Sequence, residues 1–227
     1  MEITPPLKKA PYEFYSLDEL RKLIAQRGQF FGEDKSGPAC NWDPKYSCDI
    51  TFYQALGLGA HNGIDIPCND GEPIIASHDG VVVETSSDEK AGLGVVLWDK
   101  NQLIKTVYWH MKSFPVKVGE EVKRGQIIGL ADNTGYSSGT HLHFMLKQTN
   151  QNGSTINGDN SYFGAIDPWP HLVWFKNMTE EDVKHLYALA FYRLPDATEL
   201  GYWVGKDLAT FLKTAIDDRA KFLQNEL

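Results

Sequence analysis

The chain has 227 residues, of which 42% are hydrophobic and 23% are charged, and its formal net charge is −8. These values are ordinary for a soluble globular protein, and the length allows one well-packed domain with a smaller appendage. No stretch gathers lysine and arginine on one face, and no apolar run approaches the length of a membrane-spanning helix, so we expect no nucleic-acid partner and no membrane insertion.

The first thirty residues contain one predicted helix. The segment SLDELRKLIAQRG begins at a potential N-cap, Ser16, with Glu19 three residues on, and Gly28 stops it. We therefore predict an N-terminal helical extension over residues 1–29. The amino terminus lacks an apolar segment behind a basic start, so it does not have the pattern of a secretory signal.

The three cysteines, Cys40, Cys48 and Cys68, lack the paired spacing of a zinc ribbon, which makes them poor candidates for metal ligands. Cys40 and Cys48 flank a short polar loop in GPACNWDPKYSCD, a segment rich in turn-forming residues. The two could form a disulfide outside the cell or remain free, and the sequence leaves both alternatives open. We interpret Cys68 as a small buried apolar residue.

Between residues 72 and 148 the sequence consists of short β-branched runs separated by glycine. They recur at spacings of roughly ten to fifteen residues, which is typical of an all-β sandwich or barrel. The runs are GVVVET, GVVLWD, LIKTVYWHM, GQIIGLA and LHFMLKQ. A polar excursion, TNQNGSTINGDNSYF, follows them, and AIDPWPHLVWF closes the β region.

Past residue 178, apolar residues recur at helical spacing. Thr179 is a potential N-cap with Asp182 three residues on, Pro195 interrupts the pattern, and DLATFLKTAIDDRAKFLQNEL is again amphipathic. We predict a small C-terminal α-helical segment, an accessory module over residues 177–227. It either packs against the β domain or serves in attachment, and the sequence does not choose between these roles.

Three of the seven histidines lie on predicted strands that could meet. His141 and His143 occur two residues apart in THLHFML, and alternate residues share one face of a strand, so the two imidazoles should stand side by side. His110 ends the strand-like run LIKTVYWH. The other histidines of the chain without an evident partner, which we interpret as structural or exposed, are His78, His171 and His185.

His61 and Asp65 form a possible metal-binding pair in the segment HNGID. A fully extended strand would hold their backbones roughly 13 Å apart, but a bend at Gly63 would let both side chains turn to one side. Two imidazole nitrogens and one carboxylate oxygen on zinc leave the fourth tetrahedral position for water, as in a catalytic site. Spacing alone does not tell which of His141 and His143 supplies the second imidazole.

Each of these signals has a simpler explanation when taken alone. A His-x-x-x-Asp sequence is common by chance, and one histidine of a His-x-His pair often just hydrogen-bonds to a carbonyl. A single histidine at a strand end is most often structural. Their joint occurrence in this order, on β elements divided by glycine-rich turns, is far more specific for a metal site.

The same segments closely resemble the lysostaphin-type (LytM-type) zinc endopeptidases of peptidoglycan. The resemblance covers about residues 30–170, with Ala60 where the family has the first glycine of GHNGID. It implies a mainly β fold in which antiparallel sheets form a groove, and a zinc endopeptidase domain over residues 30–176. The segments that carry it are GAHNGID, GEPIIASHDGVVV, YWHM and GEEVKRGQIIGLADNTGYSSGTHLHF.

The resemblance also implies roles for individual residues. It makes His61, Asp65 and His143 the zinc ligands, and it makes His110 and His141 the catalytic histidines without stating which is the base. The implied activity is zinc-dependent hydrolysis of peptide cross-links or stem peptides of bacterial cell-wall peptidoglycan. Imidazoles suit this chemistry because one can take a proton from water while another hydrogen-bonds to the developing oxyanion.

An alternative function is that of a catalytically inactive adaptor or activator of another wall hydrolase. Inactive relatives lack zinc ligands or catalytic histidines, whereas this sequence keeps all five, which argues against that alternative. We expect a monomer that acts on peptidoglycan peptides outside the cell or in the cell wall. It could belong to a phage virion, be released as a phage lysin, or be secreted with its signal removed.

Overall fold

The structure is a computed structural model, and it describes residues 1–10, 13–173 and Lys184. The chain divides into two units, Met1–Leu172 and Val173–Leu227, and the fold and site described below belong to the first. The helical module predicted over residues 177–227 lies outside the described residues except at Lys184. In the described part, no helix is long and apolar enough to cross a membrane.

The first unit is mainly β, as predicted. Its helices are short and its strands form one small and one large sheet. The strands are β1 (Lys8–Ala10), β2 (Glu13–Phe14), β3 (Ile64–Pro67), β4 (Pro73–Ile75), β5 (Gly80–Asp88), β6 (Gly92–Asp99), β7 (Ile104–Ser113), β8 (Glu121–Val122), β9 (Ile127–Ala131), β10 (His141–Gln148) and β11 (Ala165–Ile166). The helices are α1 (Leu17–Arg27) and α2 (Phe52–Ala55), with 3-10 turns at Ala39–Asn41 and Trp169–His171.

All five runs predicted as strands are confirmed, as β5, β6, β7, β9 and β10. Nine strands make one antiparallel sheet, in which β11, β10, β7, β6, β5 and β8 are neighbours in that order. β3 pairs with the first half of β10, β11 pairs with its second half, and β7 pairs along its other edge. Side chains of β3 and β7 therefore flank those of β10.

The two faces of β10 have different environments. Leu142, Phe144 and Leu146 are fully buried in the main apolar core, together with Tyr108 of β7 and Ile66 of β3. Burial of one such side chain stabilises the fold by about 1.5–3 kcal/mol. The alternating period of a strand then turns the intervening residues of β10 to the opposite face, which carries the candidate site.

The N-terminal segment shares this core. Ser16 and Glu19 form the predicted capping box at the start of α1, and Gly28 ends the helix. Leu20 and Ile24 of α1 are fully buried in the same apolar cluster as the sheet residues. The boundary between an extension over residues 1–29 and a domain over 30–176 stays a prediction.

Cys40 and Cys48 form a disulfide, with their Cα atoms 5.0 Å apart. Of the two alternatives that the sequence left open, a disulfide or two free thiols, the structure therefore has the disulfide. Cys68 is free and half-buried rather than fully buried, and it packs against the main core. Burial, reinforced by the negative charge of Glu72, raises the pKa of the Cys68 thiol to about 12, so we treat this cysteine as inert.

Candidate active site

The register of β3 against β10 brings Asp65 to His143. The two residues are direct cross-strand partners in the antiparallel ladder, and such partners project from the same face of a sheet. Oδ1 of Asp65 lies 2.9 Å from Nδ1 of His143. One pairing register therefore fixes two of the three predicted ligands.

His61 joins this pair through the bend predicted at Gly63. A Cβ atom at Gly63 would lie 2.6 Å from the carbonyl oxygen of Phe144 and 3.0 Å from ring atoms of His143, so a side chain there would collide with β10. Nδ1 of His61 lies 3.1 Å from the carbonyl oxygen of Phe30. Because a carbonyl only accepts, Nδ1 carries the proton and Nε2 presents a lone pair.

The three ligand atoms form a small triangle. Nε2 of His61 lies 3.0 Å from both Oδ1 of Asp65 and Nδ1 of His143, and the third side is 2.9 Å. Tetrahedral zinc with bonds of about 2.0 Å places its ligands roughly 3.3 Å apart, so the triangle is close to the required size. It also brings a lone pair of His61 against a carboxylate oxygen, a repulsion that a bound cation would relieve. The donor set and its geometry fit zinc.

The electrostatic state of these residues suits ligation. Without a metal, burial alone would raise the pKa of Asp65, but His61 and His143, when they carry a proton toward it, hold this pKa well below its usual value. Burial lowers the pKa of His143, against the opposing effect of Asp65. A charged carboxylate and neutral imidazoles are the forms that bind a metal.

His110 reaches the same site because β7 contains a bulge. Leu93 and Val95 of β6 are two positions apart in sequence. Their partners on β7, Met111 and Tyr108, are three positions apart, so β7 has one extra residue between them. Both of those partners pack into the main core, so the extra residue turns His110 to the opposite face. His110 adopts φ 62°, a conformation that costs about 1–3 kcal/mol for most non-glycine residues and is common at functional sites.

His110 and His141 are held in similar ways. Nδ1 of His110 donates to the carbonyl oxygen of Thr134 at 2.7 Å, and Nδ1 of His141 donates to that of Gly139 at 2.8 Å. Each ring therefore keeps Nε2 free of a proton, and the ring centroids are 4.6 Å apart. Burial, and then the neighbouring His141 and His143, lower the pKa of His110 to about 3.

These five side chains lie in a groove of about 930 Å³. We call the strands β3, β7 and β10 the groove floor and residues 36–53 the bridged wall, since the Cys40–Cys48 disulfide lies within the latter. The bridged wall has an aromatic lining that the sequence interpretation missed, because it treated this segment as a polar loop. Trp42 stacks on Phe52 with centroids 5.0 Å apart, and the ring of Phe52 lies 5.9 Å from that of Tyr136, which also lines the groove.

The remaining histidines do not join the site. His78 is buried and bonds through its two nitrogens to the carbonyl oxygen of Asp79 and the hydroxyl of Thr106, which supports its structural interpretation. His171 is half-buried at the end of the described unit, and His185 lies outside the described residues. Among those residues, His61, Asp65 and His143 form the group whose potential ligand atoms all lie within 4.8 Å of one another.

Residues 59–157, which include all five candidate residues, match the model of peptidase family M23. The chain is 42% identical over 145 residues to the peptidoglycan DD-endopeptidase ShyA of Vibrio cholerae, covering 56% of this chain and 32% of that protein. It is 37% identical over 120 residues to the glycyl-glycine endopeptidase ALE-1 of Staphylococcus capitis, covering 52% and 31%. The chain thus spans about a third of the length of these curated relatives.

A solved structure is also similar. The catalytic domain of the prophage-encoded M23 protein EnpA from Enterococcus faecalis, solved as a variant, is 33% identical, with 44% of this chain and 77% of that chain covered and a TM-score of 0.38. Residues 59–157, which match the family model, contain the groove floor and the three potential ligands. The chain belongs to peptidase family M23.

Proposed function

We propose that the first unit is a zinc-dependent endopeptidase that hydrolyses peptide bonds of bacterial cell-wall peptidoglycan. In this proposal His61, Asp65 and His143 hold the zinc, and His110 and His141 are the catalytic residues. The observation that carries it is the triangle of ligand atoms 2.9–3.0 Å apart, with two further imidazoles beside it in one groove. The similarity to the peptidoglycan DD-endopeptidase ShyA supports the substrate, and the similarity to the glycyl-glycine endopeptidase ALE-1 supports the endopeptidase activity.

The two catalytic histidines supply proton transfer and hydrogen bonding. Bound in the triangle, zinc supplies Lewis-acid activation of a water and of the scissile carbonyl. His110 and His141 each present an unprotonated Nε2, so either can take the proton from the attacking water. The ring that takes this proton can then pass it to the leaving amine, and the other ring can donate a hydrogen bond to the developing oxyanion when its Nε2 carries a proton taken from solvent. The described geometry leaves the choice between them open.

The alternative of an inactive adaptor is not favoured, because the five residues are all present and converge on one site. We further propose that the protein acts outside the cytoplasm, as a phage lysin or as a secreted enzyme. The Cys40–Cys48 disulfide supports an oxidising compartment, where such bonds persist. One relative of similar sequence is prophage-encoded, which supports the phage alternative.

The decisive experiment is digestion of purified sacculi with the full chain, followed by mass spectrometry of the released fragments. We expect new amino termini within cross-links or stem peptides, about one zinc per chain in the protein, and loss of hydrolysis when a chelator removes the metal. Restoration of activity by added zinc is the matching control. Intact sacculi of several wall types after exposure to zinc-loaded protein would reject the proposal.

A further inference from the structure

The groove carries a charge opposite to that of the chain. The whole sequence has 30 acidic and 22 basic residues. Among the described residues that line the groove, the balance is reversed: one carboxylate faces four cations. That carboxylate, Asp65, is the proposed zinc ligand, so it does not neutralise the cations. The cations are Arg27, Lys35, Lys90 and Lys147.

Three of these four cations have no carboxylate partner among the described residues. Lys35 forms an ion pair with Glu33 at 2.8 Å. Lys90 donates instead to the neutral hydroxyl of Tyr46 at 3.0 Å. The side chains of Arg27 and Lys147 form no hydrogen bond or ion pair with any described residue, although the negative charge of Glu84 acts on Lys147 from beyond ion-pair distance. A surface that is acidic elsewhere would readily supply such partners, so this arrangement indicates a site for an external anion.

Lys147 is placed to contact a substrate on the groove floor. It lies on the same face of β10 as His141 and His143, four residues beyond the latter, which is roughly 13 Å along the strand. It is half-buried, and burial together with the like charge of Lys105 lowers its pKa, against the smaller opposing effect of Glu84. A half-buried ammonium next to another lysine is stabilised when a carboxylate binds to it.

Arg27 and Lys90 place positive charge at other parts of the groove. Arg27 ends α1 beside Gly28, where a Cβ atom would lie 3.0 Å from Pro67, and Pro67 pairs with His141 at the opposite end of β10 from Lys147. Lys90 lies on the side of the bridged wall. Positive charge therefore flanks the proposed zinc on both sides along the strand.

We propose that the groove binds a carboxylate-bearing peptide rather than an uncharged glycine chain, with Lys147 and Arg27 as specificity-determining residues on either side of the scissile bond. The inference rests on the proposed function and narrows its substrate class. The relatives include one named as a peptidoglycan DD-endopeptidase and one named as a glycyl-glycine endopeptidase. Free carboxylates are present in stem peptides and absent from the interior of a glycine bridge. The cations of the groove should therefore favour binding of a stem peptide over binding of a glycine bridge.

The test measures binding separately from hydrolysis. The probes are a synthetic D-alanyl-linked peptide dimer with free carboxylates, the same dimer with every carboxylate amidated, and pentaglycine. Calorimetry on the zinc-supplemented 227-residue chain carrying His110→Ala gives the dissociation constants while hydrolysis is strongly slowed. We expect the acidic dimer to bind about tenfold more tightly than either neutral probe at low salt, and this advantage to shrink as salt rises.

A matched pair of variants tests the lysine itself. Lys147→Met keeps an apolar stem of similar length and should weaken binding of the acidic dimer about fivefold, while binding of the amidated dimer stays unchanged. Lys112→Met, which removes an exposed lysine outside the groove that pairs with Asp70, should change neither. Arg27→Gln should act like Lys147→Met.

Equal affinity for the acidic and amidated dimers, or tighter binding of pentaglycine, would overturn the inference. Equal weakening of both dimers by Lys147→Met would show that the residue supports the shape of the groove and not its charge selectivity. Hydrolysis of the three probes by the unaltered protein reports on the proposed function. Charge-dependent binding without hydrolysis of any probe or of sacculi would reject that function and leave this inference standing.

Discussion

The groove floor and the bridged wall position their side chains by different physical means. In the floor, backbone pairing determines the direction of the side chains. The register of β3 against β10 places Asp65 opposite His143, and the bulge in β7 turns His110 into the groove. In the bridged wall, a loop is closed by the Cys40–Cys48 disulfide and by stacking of Trp42 on Phe52. We therefore expect changes in the floor to abolish chemistry and changes in the wall to alter substrate affinity.

The largest effect should follow loss of Asp65. Asp65→Asn keeps the size of the side chain but removes the negative charge that balances a divalent cation between two neutral imidazoles. We expect zinc content to fall from about one per chain to near zero and hydrolysis of sacculi to fall below detection. Zinc is measured by elemental analysis of protein purified without added metal. Full occupancy in this variant would refute the ligand assignment.

Loss of either catalytic histidine should have the next largest effect. Alanine at His110 or His141 should lower the rate of hydrolysis by about 10²–10⁴-fold, the usual contribution of a positioned acid or base. Zinc content should stay near one per chain, which separates these variants from those of the ligands. His171→Ala, outside the groove, is the control and should retain both. If His141→Ala loses zinc and His143→Ala keeps it, the two roles are reversed.

The convergence of these five proposed site residues could be expected from the sequence, because strand alternation and the motifs of the resemblance are both readable in short segments of the chain. His141 and His143 share a face by the period of a strand, and the bend at Gly63 follows from the spacing of His61 and Asp65. The bulge at His110 could not be predicted, because ideal alternation would put His110 on the same face as the buried Tyr108. Its position depends on pairing with β6, which is a property of tertiary structure.

The positive charge of the groove could not be predicted from the sequence either. Lysine and arginine are not concentrated in any one stretch of the sequence. Arg27, Lys90 and Lys147 come from one helix and two separate parts of the sheet region, and folding brings them to one groove. Folding likewise brings Tyr136, which is distant in sequence, into contact with Phe52 of the bridged wall.

Opening the disulfide should have a smaller effect that is confined to the bridged wall. The bond closes a loop between positions eight apart in sequence, so replacing both Cys40 and Cys48 by serine should lower the free energy of unfolding by about 2–3 kcal/mol. The aromatic lining should become less ordered and the KM for peptide substrates should rise severalfold. Zinc content and kcat should change little, because the pairing of β3, β7 and β10 does not involve residues of this loop.

Steady-state kinetics on a soluble peptide substrate and denaturant unfolding measure these two effects. Treatment of the unaltered protein with a mild reductant should reproduce the higher KM, and removing the reductant under air should reverse it. A fall in kcat with an unchanged KM would show instead that the bridged wall contributes to the chemistry.

The smallest effect should come from removing residues 178–227, the predicted accessory module. The described core and all five site residues lie within Met1–Leu172, and the N-terminal segment is joined to the end of this unit by the bridge between Ile3 and Leu172. A truncation after residue 177 keeps that bridge and every residue of the floor and wall. We therefore expect unchanged zinc content and unchanged kcat/KM on a soluble peptide. A weaker association with intact sacculi would assign the removed module to attachment, whereas insoluble or zinc-free protein would show that it completes the core.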